Sequence, residues 1–175
     1  MIRKATLQDL PAIAAIYDEI HTEEENGRAR IGWIRGIYPT KATAQSALQR
    51  DDLFVEEANG KIVGAAIINQ QQVDVYREGR WQYDAQDREV MVLHTLVISP
   101  RAAGNGYGGK FVAFYEAYAS ARGCRFLRMD TNAVNRSART LYRKLGYQEI
   151  GVVPTSFNGI EGVSLVLLEK KIPEL

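Results

Sequence analysis

Apolar and polar positions follow two periods along this chain, and each change of period marks a new element. One run, Val90–Ile98, is rich in Val, Leu and Ile and is broken only by His94 and Thr95. That composition predicts a strand buried on both faces. Pro100 cannot donate to a ladder and ends it. Beyond a turn that holds Gly104, Gly106, Gly108 and Gly109, apolar residues recur at Phe111, Phe114, Tyr115 and Tyr118. This helical spacing predicts a helix from about Tyr107. Residues 125–129 read as the next strand, closing on Asp130. Asn135 then suits a helix N-cap and Gly146 the residue past its end, while Ala138, Leu141, Tyr142 and Leu145 share one face.

The N-terminal half follows the same rules. Residues 1–5 form a short strand, and Thr6 with Asp9 resembles a capping box ahead of the face made by Leu10, Ile13, Ile16, Tyr17 and Ile20. His21 falls near the end of that helix, where capping or a surface position is expected. Glu23, Glu24 and Glu25 read either as a solvated helix end or as an acidic rim that attracts a cationic amine. Trp33, Ile37, Tyr38 and Pro39 follow in the same segment, as an acceptor wall or as packing beneath one. A second helix is predicted over residues 41–50, with Thr40 as its N-cap. Residues 53–57 and Lys61–Asn69 predict a hairpin turned at Ala58-Asn59-Gly60. Residues 73–88 are polar with scattered aromatics and predict a longer loop with a brief strand or helical turn. After Tyr147 come a strand over residues 148–153, a loop over 155–162, and a last strand over 163–170.

A chain of 175 residues is enough for one domain with a full core, spanning 1–175. Its 22 basic and 21 acidic residues leave a net charge of +1, which points to neither nucleic acid nor an anionic membrane. The single cysteine, Cys124, rules out an internal disulfide and reads as a small buried hydrophobe. With no apolar leader and no run near the ~18 residues of a membrane span, the expectation is a soluble, cytoplasmic protein.

The glycine-rich turn carries the chemistry. A helix N-terminus preceded by glycines is an anion site, usually for phosphate. A P-loop needs a hydroxyl after Gly109-Lys110, and Phe111 stands there instead. The dinucleotide fingerprint matches literally at Gly104, Gly106 and Gly109, with Asp130 placed as the ribose acid. Against it, five residues (99–103) separate the strand from the first glycine, and the 45 residues after Asp130 (131–175) are too few to complete a doubly wound sheet. A third pattern fits better. Ile98-x-Pro100-x-x-Ala103-Gly104-x-Gly106-x-Gly108 resembles the acetyl-CoA pyrophosphate loop of the GNAT superfamily of N-acetyltransferases. Ala103 departs from the Arg or Gln usual there, and Arg101 offers a charge two residues earlier. One strand later, Asn135, Ala138, Tyr142, Lys144, Gly146 and Tyr147 match the family pattern N-x-x-A-x-x-x-Y-x-K-x-G-F/Y. The combination is the specific signal, and the resemblance covers nearly the whole chain.

The resemblance implies an α/β fold of α+β type, with element order β-α-α-β-β-β-α-β-α-β-β. It implies a mixed, mostly antiparallel sheet with helices on both faces, whose central strands splay near Ser99 and Asp130. The implied activity is acetyl transfer from acetyl-CoA, without a metal, to a primary amine of a small molecule or peptide. The implied cofactor contacts are Leu96, Val97 and Ile98 on the strand, Ala103, Gly104, Asn105, Gly106, Tyr107, Gly108 and Gly109 on the loop, and Asn135. Tyr142 matches the family's proton donor to the leaving thiolate. His94 is the sole titratable side chain within Val90–Ile98 and is the candidate base. Asp130 and Asn132 close the neighbouring strand, either facing the acceptor or capping the turn, with neither reading chosen. Family members often dimerise, which admits a homodimer. A non-catalytic CoA-binding module on the same fold and a dinucleotide-binding protein are the rival readings.

Overall fold

In a computed structural model that describes residues 1–173, the predicted order of elements is present. The chain runs β1 (Ile2–Lys4), α1 (Leu10–Glu25), α2 (Lys41–Gln49), β2 (Leu53–Ala58), β3 (Lys61–Asn69), β4 (Val90–Ile98) and α3 (Tyr107–Ser120). It continues through β5 (Phe126–Asn132), α4 (Arg136–Lys144), β6 (Gln148–Phe157) and β7 (Ile160–Lys171). Local signals begin and end these elements. Thr6 and Asp9 form the capping box ahead of α1. The Asn135 side chain accepts a 3.1 Å hydrogen bond from the Ala138 amide at the start of α4. Asn59 and Gly60, with φ of 51° and 71°, turn the β2–β3 hairpin as an Asn-Gly pair does.

The seven described strands form one sheet in the order β1-β2-β3-β4-β5-β7-β6. Every neighbour is antiparallel except β4 and β5, which run parallel. Alternation along β2 and β3 sorts the helices to opposite faces. Val55, Ala65 and Ile67 point into the cluster that holds Ile13, Ile16 and Tyr17 of α1 and Ala44 and Ala47 of α2. Phe54, Ala66 and Ile68 point the other way, against Phe111 and Tyr115 of α3 and Tyr142 of α4. A third cluster, with Val75, Tyr76, Ile160, Val163 and Leu165, lies under the segment of residues 73–88.

The centre of the sheet positions the site. β4 pairs with β5 only from Val90↔Phe126 to Leu93↔Met129. Beyond those four pairs, β4 stays with β3 as far as Gly64↔Ile98, and β5 stays with β7 as far as Asn132↔Leu165. The two strands part, as the family resemblance implies. Below the split, the buried Tyr115 hydroxyl donates to the carbonyls of Met91 (2.6 Å) and Arg128 (3.2 Å), tying the strands together.

The structure departs from the sequence reading in three places. The expected loop over residues 155–162 is mostly strand: β6 reaches Phe157, β7 starts at Ile160, and Asn158-Gly159 (φ 52° and 77°) makes a tight turn between them. Pro154 is tolerated within β6 because β6 is an edge strand. β5 runs three residues past Met129, because β7 continues to pair with it. His21 is neither a cap nor on the surface. It is buried, with Nε2 2.9 Å from the Pro39 carbonyl oxygen. As expected, residues 73–88 are mainly loop with a helical turn, here the 3₁₀ turn Asp74–Glu78, and a second 3₁₀ turn, Asp87–Glu89, leads into β4. Arg128 anchors the segment by donating to Gln72 and the Tyr83 carbonyl and stacking on Trp81.

Candidate active site

Where β4 and β5 part, the gap opens into a cavity of about 500 Å³. Its walls are Leu93 to Ile98 of β4, Asp130 to Asn132 of β5, and Asn135, Ala138 and Tyr142 around α4. Pro100 and Ala103 border it on the side of the glycine loop. Of the residues singled out in the sequence, the structure therefore brings His94, Leu96, Val97, Ile98, Ala103, Asn135 and Tyr142 to one cavity. Gly104, Asn105, Gly106, Tyr107, Gly108 and Gly109 continue outward from Ala103 into the first turn of α3 and do not line the cavity itself.

The loop suits a diphosphate. Gly104 and Gly106 take φ of 81° and 74°, conformations that favour glycine, and a Cβ on either would meet nothing within 4 Å. Bare backbone thus faces open space at the N-terminus of a 14-residue helix. The charge offered by Arg101 is engaged by Glu19 at 3.0 Å, and Glu19 also accepts from Ser99 at 2.8 Å. This pair fixes the start of the loop to α1. Asn135 caps α4 and lines the cavity at once.

β4 is bulged at the cavity. Ala65 faces Val97 and Ile67 faces His94, so Thr95 and Leu96 together oppose the single Ala66. Thr95 has φ of 48°, an outlier for a β-branched residue and a form of strain that collects at functional sites. Its hydroxyl is hydrogen-bonded to that of Tyr38. The short local pattern of the strand carries no sign of this bulge.

Asp130 is the titratable group that sequence reasoning left without a role. It sits past the last β4–β5 pair, with one side open to the cavity. Burial raises its pKa to about 6, opposed by a 2.6 Å hydrogen bond donated by the Tyr76 hydroxyl. Tyr142 is buried on α4, its ring edge-on to Tyr147 at 6.1 Å. Burial first, and the charge of Asp130 second, raise its pKa, so the phenol stays protonated. His94 also lines the cavity, with Nε2 2.9 Å from the Asn69 carboxamide oxygen, which makes Nε2–H the donor. Burial lowers its pKa to about 4, partly offset by Asp52.

The far end of the cavity belongs to the segment after α1. The acidic run there is a largely solvated helix end whose carboxylates are paired, so it forms no free anionic rim. Glu23 binds Arg28 at 2.9 and 2.7 Å, and Glu25 binds Arg35 at 2.8 and 3.1 Å. Glu24 accepts from the amides of Ile31 (2.5 Å) and Gly32 (3.1 Å). These bonds hold Trp33 and Tyr38 on the cavity wall.

The family model described as acetyltransferase (GNAT) family matches residues 13–147, and the chain belongs to that family. An uncharacterised N-acetyltransferase of Methanocaldococcus jannaschii is 31% identical over 103 residues, covering 59% of this chain. That match spans 42% of the archaeal protein's length, less than half of it. An uncharacterised N-acetyltransferase of Bacillus subtilis is 24% identical over 150 residues, 85% of this chain and 89% of the relative. Among solved structures, a GNAT-family acetyltransferase from Streptococcus agalactiae superposes with a TM-score of 0.83 at 21% identity, over 99% of this chain and 96% of that one. The chain is therefore an acyltransferase of the N-acetyltransferase type. Among the described residues no cluster suits a metal ion, and no helix is long and apolar enough to cross a membrane.

Proposed function

We propose that this enzyme transfers an acetyl group from acetyl-CoA to a primary amine, with Asp130 as proton acceptor and Tyr142 as proton donor. The observation that carries the proposal is the pair itself: a half-buried carboxyl and a buried phenol on the walls of one cavity, at the only parallel seam among the described strands. Acetyl-CoA supplies the activated acyl carbon: a C–N bond forms at the acceptor, the C–S bond breaks, and one proton passes from nitrogen to sulfur. The chain's residues handle the rest. Backbone of Leu96 to Ile98 and of the loop from Ala103 to Gly109, with Asn135, would hold the donor. With a pKa near 6, Asp130 is ionised at neutral pH and accepts the acceptor's proton. Tyr142 keeps its proton until the sulfur leaves. His94, neutral at that pH and tied to Asn69, shapes the wall.

Thermal shift with acetyl-CoA, followed by release of free CoA thiol over an amine panel, tests the reading. Donor binding with turnover is expected. Asp130→Asn should remove the acidic limb of the pH–rate profile, and His94→Ala should leave it near pH 6. A limb that vanishes in His94→Ala and persists in Asp130→Asn reverses the assignment. Donor binding without turnover on any amine identifies a CoA-binding module instead.

A further inference from the structure

We infer that the acceptor is a monoamine carrying an uncharged apolar group, aryl or branched alkyl, and lacking a carboxylate or second ammonium beside the reacting nitrogen. The inference rests on the proposed N-acetyltransferase reading and concerns the end of the same cavity away from the glycine loop. There the walls are Trp33, Tyr38, Val73, Phe157, Ile160 and Val163, all part of or packed against the third apolar cluster. Trp33 meets Tyr38 edge-to-face, with centroids 6.0 Å apart, leaving aromatic surface to the cavity. Ile37, 46% exposed, extends the apolar wall outward beside the Asn158-Gly159 turn.

Charge decides what accompanies that apolar group. Arg28 is the sole Arg or Lys among the described lining residues, and Glu23 occupies it through two hydrogen bonds. An amino-acid carboxylate would find no free cation there and would lie beside Asp130. A second ammonium fares no better. The carboxylates of Glu23, Glu24 and Glu25 are already taken by Arg28, by two backbone amides and by Arg35. Asp130 remains, and one carboxylate at the seam matches one ammonium.

The experiment compares kcat/KM for 2-phenylethylamine, phenylalanine, 1,4-diaminobutane, ethylamine and a short peptide with a free N-terminus, following CoA release by the intact protein. We expect 2-phenylethylamine to lead each of the others by about 10²-fold, the size of effect that a filled apolar pocket supports. Trp33→Ala should lower kcat/KM for 2-phenylethylamine more than for ethylamine, mainly through KM. Preference for the amino acid, the diamine or the peptide overturns the inference and leaves the N-acetyltransferase reading standing, as does a flat profile. Release from no amine, with acetyl-CoA bound, overturns both.

Discussion

The Tyr76 hydroxyl reaches 2.6 Å to a carboxylate oxygen of Asp130, from a 3₁₀ turn outside the sheet to the free end of β5. This bond opposes the burial that raises the Asp130 pKa to about 6. Tyr76→Phe removes it and raises that pKa further, by roughly 0.7 unit for a hydrogen bond of about 1 kcal/mol. A base must be ionised to act, so the acidic limb of kcat/KM should move upward and the rate at pH 6 should fall, while the rate at pH 8 holds. A limb that stays in place detaches Asp130 from the acceptor's proton.

Tyr142→Phe keeps the ring in its buried place against Tyr147 and deletes only the hydroxyl that carries the proton. Turnover should fall roughly 10²-fold, the lower end for an acid–base group, with the acetyl-CoA dissociation constant unchanged. Pre-steady-state release of CoA thiol separates loss of chemistry from loss of binding.

Gly32 has φ of 86°, and a Cβ there would lie 2.2 Å from the Asn132 side-chain nitrogen and 2.9 Å from its Cγ. Gly32→Ala should therefore push the segment bearing Trp33 off the end of β5. The expected signature is a several-fold higher acceptor KM with donor binding intact. Titrations of the two substrates, run separately, read this difference.

Asp9 joins Arg3 through two hydrogen bonds, at 2.8 and 3.0 Å, and accepts from the Thr6 amide at 2.8 Å. Arg3 is the main cause of a pKa lowered from 3.8 to about 2. A depressed carboxylate stabilises the fold above its unfolded pKa, and that contribution is lost as pH falls through the folded value. Asp9→Asn should cost about 2 kcal/mol at pH 7 and almost nothing near pH 2. Urea unfolding at the two pH values measures the difference.

Tyr115→Phe leaves a core ring unchanged and removes the hydroxyl shared by Met91 and Arg128. A loss of about 1–3 kcal/mol is expected. Amide exchange should quicken most at the β4–β5 ladder.

Much of this was legible from local pattern. Four glycines after an apolar strand, and Asn135 to Tyr147 as a capped helix, marked the turn and the helix, because short-range spacing determines both; the role proposed for Tyr142 came from the family resemblance. What local pattern missed depends on distant partners. Asp130 looked like a strand's polar end; burial at the seam raises its pKa, held back by Tyr76, 54 residues away. Thr95 reads as an ordinary strand residue, and its bulge exists because of the register with β3. His21 carries a surface signature until Pro39 folds over it. The acidic run kept two readings open because its partners, Arg28, Arg35 and the loop amides, follow it in sequence and are brought near by a turn. The Asn158-Gly159 hairpin follows the same Asn-Gly turn rule as Asn59-Gly60 and was within reach of it.

The seam between β4 and β5 also makes the sheet a pair of leaves. Strands β1 to β4 form one and β5 to β7 the other, bound along a spine of four residue pairs and one shared tyrosine hydroxyl and by the apolar cluster they share under α3. A donor seated in the gap would bridge both leaves where their own ladder stops. Occupancy would then mend the sheet as well as load the enzyme, and the bound donor would add to the stability of the whole fold.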